Sequence, residues 1–248
     1  MIFQSRGPGA DLRWSPGDDL MALPRCDAVL ALWGETSVAA DDADANAQLA
    51  QISRQVAQAC GAGRVFHMSS AAVYGPGQAL REDDPAQPAN PYGHSKLAME
   101  KRVAGWQTTD ADLRHCLLRV ANVVGADSLA PALRDMAGPA TLDRFADGAG
   151  PRRSYLAASD LLRLLAALMD LPDARLPGVL NVAAPRPVEM EALLQAAGKR
   201  VIWRPAPPTA LQDVTLDAGA LQKLVPGLAF LNNANDLIRD WTDLEAAQ

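Results

Sequence analysis

The apolar positions of this chain fall into short unbroken runs separated by stretches with helical spacing. Cys26–Gly34 (CDAVLALWG) is a continuous apolar run ending at glycine, Arg64–Met68 is a second, and His115–Ala121 (HCLLRVA) is a third. Runs without alternation mark parallel strands buried on both faces. Between the first two, Asp41–Cys60 carries Leu49, Ile52, Val56 and Ala57 at helical spacing, and Gly61 and Gly63 stop it. Between the second and third, Pro91–Trp106 reads as a helix with Asn90 as N-cap and Pro91 at its first position. Strand, helix, strand, helix, strand at this spacing predicts an α/β fold built on a doubly wound parallel sheet. Such sheets bind ligands at the carboxyl ends of their strands. Gly34, the pair Ser69-Ser70, and Asn122 all lie just past a strand end, so they are expected to converge on one crevice with Tyr92 facing it.

The flanks are less regular. Met1–Ser5 and Leu12–Trp14 read as short strands, with a helical turn or two over Asp18–Leu23 capped by Ser15 or Asp18. Beyond Gly125 the pattern predicts helices over Ser128–Met136, Ser159–Met169 (Ser159 or Asp160 near the cap), Val188–Ala197, Ala218–Leu224 and Asn235–Leu244. It predicts strands over Thr141–Phe145 and Val179–Val182, and a loop over Arg204–Thr209 (RPAPPT). No internal repeat or low-complexity segment stands out.

The chemistry concentrates in Val65–Arg102. Tyr92 and Lys96 are four apart and so share one helix face. An ammonium beside a phenol favours the phenolate, and a strand-end serine can share the same substrate oxygen. Together they make a general base for an alcohol or carbonyl near neutral pH. Lysine is scarce, 4 against 19 arginines, and one of the four is Lys96.

Composition narrows the partners. The formal net charge of -6 over 248 residues argues against nucleic acid, which needs a basic stripe. No apolar run approaches the roughly 18 residues of a membrane span, and the N-terminus has no apolar leader core, so the expectation is a cytoplasmic protein. Cys26, Cys60 and Cys116 read as buried free thiols of a reducing compartment. His67, His94 and His115 are scattered, so no metal site is expected.

Ser69-Ser70-Ala71-Ala72-Val73-Tyr74-Gly75, followed about 20 residues on by Asn90-Pro91-Tyr92-Gly93-His94-Ser95-Lys96, resembles the extended short-chain dehydrogenase/reductase family, the group of NAD-dependent epimerases and dehydratases. The likeness continues through Leu118–Gly125 (LRVANVVG), Arg153–Leu156 with Ser159-Asp160, Gly178–Ala183 and Leu231–Trp241. It implies a Rossmann-like core over 1–126 plus 154–183, and a small substrate lobe over 127–153 plus 184–248. It implies Ser70, Tyr92 and Lys96 as the catalytic set, with Lys96 also reaching the nicotinamide ribose. Arg6, Leu32, Trp33, Gly34, Asn46, Met68, Ser69 and Ala121 are implied on the cofactor side, and Asn122 and Arg153 on the substrate side.

The implied activity is hydride transfer at an alcohol or carbonyl carbon, with NAD or NADP as cofactor. Met1–Arg6 resembles the family's second strand, and Arg6 at its end tilts the choice toward NADP, since arginine there can receive a 2′-phosphate. The implied substrate is a sugar nucleotide or another small alcohol or carbonyl, and a homodimer is left open. Ala71 and Ala72 supply no acidic pair beside Ser70, which leans away from dehydration.

One departure stands against the likeness. The family opens with a strand, a glycine-rich turn and a helix that cradle the dinucleotide phosphates. Gly7-Pro8-Gly9 precedes no helix, Gly61-Ala62-Gly63 lies between helix and strand, and Gly148-Ala149-Gly150 falls in the variable half. The expectation is that the first strand and its glycine turn are missing, through a start placed too late or in a genuine remnant. Loss of that central strand would split the sheet or force its neighbours together. The competing reading is therefore a non-catalytic NAD(P)-binding or sensor protein, or an inactive truncated form.

Overall fold

A computed structural model describes residues 1–5, 9–36, 44–135 and 138–247. In chain order the strands are β1 (Gln4–Ser5), β2 (Leu12–Arg13), β3 (Ala28–Ala31), β4 (Arg64–Ser70), β5 (Gly77–Leu80), β6 (Arg114–Val120), β7 (Asn122–Val123), β8 (Ala140–Arg144), β9 (Arg152–Arg153), β10 (Tyr155–Leu156), β11 (Val179–Val182), β12 (Val188–Glu189), β13 (Val201–Pro205) and β14 (Asp213–Leu216). The helices are α1 (Ala45–Cys60), α2 (Pro91–Thr109), α3 (Ala130–Arg134), α4 (Ala158–Met169), α5 (Met190–Ala196), α6 (Gly219–Leu224) and α7 (Ala234–Ala246).

The three unbroken apolar runs supply three neighbours of a four-stranded parallel sheet ordered β11-β6-β4-β3. Both faces are covered, which is why the runs do not alternate. Phe66, Cys116, Leu118 and Leu180 pack with Leu164, Leu165 and Leu168 of α4 and Leu221 of α6. On the opposite face Leu117 packs with Ala47 and Ala50 of α1 and Met99 and Val103 of α2, while Val65 packs with Ala57. The chain thus folds as a mixed α/β protein on a doubly wound parallel sheet. A further cluster, holding Leu133, Leu142, Tyr155, Leu193, Leu194 and Leu237, gathers the later elements.

At the other side of the sheet, β1 and β2 pair in parallel with each other as a separate two-stranded unit. Among the described strands, β3 pairs only with β4. No described ladder joins the β1–β2 pair to the β11-β6-β4-β3 sheet. Trp14 bridges the gap: it is buried, and its ring centroid lies 6.5 Å from that of Trp33, just past β3.

Several local expectations change. The turn before β3 is a single 3-10 turn, Leu20–Ala22, capped by Asp19 accepting from the Met21 N–H rather than by Ser15 or Asp18. Helix α4 starts at Ala158 after an uncapped Ala157. Asp160 is fully buried and instead accepts from the Leu231 N–H while pairing with Arg163. Arg204 and Pro205, expected in a loop, complete β13, which pairs in parallel with β8.

One glycine fixes how closely α2 approaches the 3-10 turn Ala71–Val73 that follows β4. A Cβ on Gly93 would collide with the Ala72 carbonyl oxygen and lie 2.8 Å from Pro88 Cβ. Backbone is what the methyl would meet, so nothing can swing away. Gly93→Ala is therefore expected to destabilise the fold by about 1–3 kcal/mol, although alanine in an open helix gains about 1 kcal/mol over glycine. Urea unfolding midpoints of the two proteins check this, and an equal or higher midpoint for the variant contradicts the packing argument.

Candidate active site

The site forms where β4 ends and α2 begins. Strand β4 delivers Ser69 and Ser70 at its carboxyl end. Ser70 caps the 3-10 turn Ala71–Val73, its Oγ accepting from the Ala72 N–H at 3.2 Å. Helix α2 opens with the Asn90 side chain accepting from the Gly93 N–H at 2.8 Å and Pro91 in the first turn. From that start, Tyr92, Lys96 and Glu100 recur at four-residue intervals along one face, and each meets a different part of the strand ends.

The Ser70 hydroxyl lies near enough to the Tyr92 phenol to draw its pKa down. Lys96 donates from Nζ to the Met68 carbonyl at 2.8 Å, and its Nζ lies 5.7 Å from the Tyr92 ring centroid. Glu100 accepts from Ser69 Oγ at 2.6 Å and holds Arg119 of β6 through two bonds of 3.0 and 2.8 Å. Arg119 in turn donates to the Tyr74 hydroxyl at 2.8 Å, which bonds Asn181 of β11 at 2.8 Å. A buried charged network thus locks β4, β6, β11 and α2 together below the serine pair.

Burial dominates the protonation states. Lys96 is 3% exposed, and loss of solvent pulls its pKa down to about 8. The Tyr92 phenol is pushed above its ordinary value by burial, while the nearby Ser70 side chain pulls it back. The lysine was expected to make this phenol more acidic. In the structure the ammonium is spent on Met68 and burial outweighs Ser70, so the net direction is upward.

Gly34 and Asn46 join the group. Asn46, in the first turn of α1 and 1% exposed, accepts from the Glu35 N–H at 3.1 Å and donates to the Glu35 carbonyl at 2.9 Å and to Ser95 Oγ of α2 at 3.0 Å. A Cβ on Gly34 would lie 2.8 Å from Lys96 Nζ and 3.4 Å from Asn46 Oδ1. Glycine here leaves the lysine its channel to Met68.

The remaining candidate positions engage other partners. The Trp33 indole turns into α1 and donates to Ser53 Oγ at 2.9 Å. Leu32 is 58% exposed. Ala121 is buried and donates its N–H to Val182. Asn122 donates to Asp127 at 3.3 Å. The Arg153 guanidinium is tied to the carbonyls of Arg152, Leu211 and Gln212 at 2.7–2.8 Å. Arg6 lies outside the described residues.

Two groups escaped the sequence reading. Glu100 stands four residues beyond Lys96 on the same helix face, so spacing alone could have found it. The other is a chain of polar groups under α2. His67 Nε2 meets His115 Nδ1 at 3.1 Å, His115 Nε2 meets Asp110 Oδ2 at 2.9 Å, and Arg54 clamps Asp110 with two bonds of 2.6 Å. Only strand register brings the histidines together, and register was not readable.

The residues present fit one half of a nicotinamide dinucleotide. Gly34 keeps a space that any Cβ would fill, between Lys96 and Asn46 at the carboxyl ends of the sheet. Among the described residues no strand–glycine turn–helix unit stands ready for the phosphates.

Residues 13–183 match the model of the NAD dependent epimerase/dehydratase family, and the chain belongs to that family. It is 46% identical over 65 residues to the UDP-glucose 4-epimerase of Lacticaseibacillus casei and 44% over 69 residues to that of Azospirillum brasilense. These alignments cover 25% and 27% of this chain, and they span only 19% and 20%, about a fifth, of the relatives' own lengths. In fold it is similar to MoeE5 in complex with UDP-glucuronic acid and NAD, with a TM-score of 0.77, 23% identity, and coverage of 98% of this chain and 90% of that one. It is also similar to UDP-glucose 4-epimerase from Bifidobacterium longum in complex with NAD+ and UDP, with a TM-score of 0.71, 22% identity, and coverage of 89% and 77%. No helix among the described residues is long and apolar enough to cross a membrane.

Proposed function

We propose that this chain is an NAD-dependent oxidoreductase of the epimerase type, acting at a hydroxyl-bearing carbon of a sugar nucleotide. The observation that carries the reading is Ser70 at the carboxyl end of a parallel strand, acting on the Tyr92 phenol, with Lys96 Nζ 5.7 Å from the Tyr92 ring centroid. Tyr92 accepts the proton of the substrate hydroxyl and returns it in the reverse direction. Ser70 holds the same oxygen, and Lys96 keeps positive charge beside the phenolate that has to form. Bound NAD would supply the hydride acceptor. Trp33, Gly34, Asn46, Met68, Ser69 and Lys96 would line it, with Leu32 and Ala121 at the flanks.

Asn122 and Arg153 stand as the substrate-side residues. Arg153 would release its carbonyl partners to grip a phosphate through a bidentate pair. In this scheme 1–126 with 154–183 carries the cofactor and 127–153 with 184–248 the substrate. NAD rather than NADP is the cofactor to expect, because MoeE5 and the Bifidobacterium epimerase hold NAD. Epimerisation is favoured over dehydration by Ala71 and Ala72 and by the names of the sequence relatives.

A second reading, a binding protein without turnover, draws on the separate β1–β2 ladder and the lack of a phosphate cradle among the described residues. Titrating the 248-residue chain with NADH and NADPH, and incubating it with UDP-glucose, UDP-galactose and UDP-glucuronic acid, separates the two. Enhanced NADH fluorescence with conversion of a UDP-sugar is the expected result. Binding without conversion supports the second reading, and failure to bind either dinucleotide overturns both.

A further inference from the structure

Cys26 and Cys60 sit side by side at the end of the sheet opposite the candidate site. Cys26 leads into β3, past whose far end lies Gly34, and Cys60 closes α1, whose first turn carries Asn46. The Cys26 N–H donates to the Cys60 carbonyl at 3.2 Å. Backbone bond lengths and this N···O contact put the two Cα atoms no more than about 7 Å apart, close to the roughly 4.4–6.8 Å that disulfides bridge. The two thiols are also near enough that Cys26 raises the pKa of Cys60. Cys60 is 4% exposed, whereas Cys26 is only partly buried, so one member of the pair is reachable from solvent. Both thiols are free in the structure, as is Cys116. Cys116 packs on the α4 face of β6 among Phe66 and Leu164, and is 1% exposed.

We infer that Cys26 and Cys60 form an oxidisable dithiol that a peroxide closes into an intramolecular disulfide. Cys26, the reachable thiol, attacks one peroxide oxygen. The O–O bond breaks, that oxygen stays on sulfur as a sulfenic acid, and the other leaves as water with the thiol proton. The Cys60 sulfur then attacks the Cys26 sulfur. The S–S bond forms, the S–O bond breaks, and the departing hydroxide takes the Cys60 proton as a second water. The two sulfurs lose two electrons and the peroxide gains them.

The order of attack follows from the surroundings. Burial and the neighbouring Cys26 push the Cys60 thiol up to about 11, with Arg25 pulling the other way, so Cys60 is the resolving partner and not the first nucleophile. The bond would tie the start of β3 to the end of α1. It would close a loop that contains Trp33, Gly34 and Asn46, and so remove chain entropy from the unfolded state.

The test uses the reduced, full-length protein exposed to hydrogen peroxide and digested with trypsin without reductant. The expected product joins the peptide beginning at Cys26 to the one beginning at Gln55. The intact mass falls by two hydrogens, a phosphine restores it, Cys116 stays alkylatable, and the melting temperature of the oxidised form rises. In Cys60→Ser, dimedone captures the sulfenic acid on Cys26, a readout that holds even if the disulfide is slow to form in the native protein. The inference is overturned if Cys60 stays alkylatable while Cys26 over-oxidises or links two chains, if Cys116 enters the bond, or if no cysteine is oxidised.

Discussion

Tyr92→Phe is expected to lower turnover by about two to four orders of magnitude, the usual worth of a positioned acid–base group, with NADH binding retained. The substitution keeps the ring in place at the start of α2 and deletes one oxygen, the one whose pKa Ser70 draws down. Lys96 keeps its bond to Met68, Glu100 keeps Ser69 and Arg119, and Asn46 keeps Ser95. Nothing that shapes the crevice depends on the phenol. The loss should therefore fall on kcat with little change in KM or in the NADH titration. If the variant converts UDP-sugars as fast as the parent, Tyr92 is not the base and the proposed mechanism fails. If it also loses NADH binding, the tyrosine is a binding group first, and the division of labour drawn above is wrong.

The sequence made the centre of the fold legible, and its rim much less so. Runs such as Arg64–Met68 and His115–Ala121 are apolar because both faces of β4 and β6 are covered, and that demand leaves an unmistakable pattern. Asn90-Pro91 announced α2 because a cap and a fixed φ are local properties. By contrast β5, β9 and β14 are short, partly polar and paired across more than 60 residues, as in Gly77 with Val214 and Arg152 with Asp213, so nothing local marks them. At the site, residue positions were readable where helix spacing dictates them, as for Tyr92 and Lys96. Protonation was not. The phenol's pKa depends on how deeply the crevice is buried and on which acceptor the ammonium finds, and both follow from the packing of α2 on β4.

Acid should weaken this fold well before its carboxylates titrate, and His67 is the main cause. Asp110 is held well below the ordinary carboxylate range, at about 2, chiefly by Arg54, so it is an acceptor at any working pH. His115 must then donate from Nε2, accept at Nδ1 from the Nε2–H of His67, and leave His67 Nδ1 without a proton. Charging His67, 1% exposed, would put a cation among buried groups near Lys96. Burial first, then His115 and Lys96, hold its pKa down at about 3. His115 is lowered in the same sense, again by burial. A histidine whose folded pKa lies below its unfolded value of 6.5 binds more protons when unfolded. Its stabilising contribution is therefore complete above pH 6.5 and is lost progressively as pH falls toward 3. Between pH 7.5 and 5 the loss from His67 alone amounts to about 2 kcal/mol. Asp127, raised by burial, works in the opposite direction and reduces the net slope. Comparing wild type with His67→Leu removes that background, because the carboxylates are common to both proteins. The variant is expected to be less stable at pH 7.5, having lost the bond to His115, yet to lose markedly less stability on acidification when urea midpoints are followed across this window. Parallel slopes for the two proteins would mean that His67 titrates normally and is not held neutral by its surroundings.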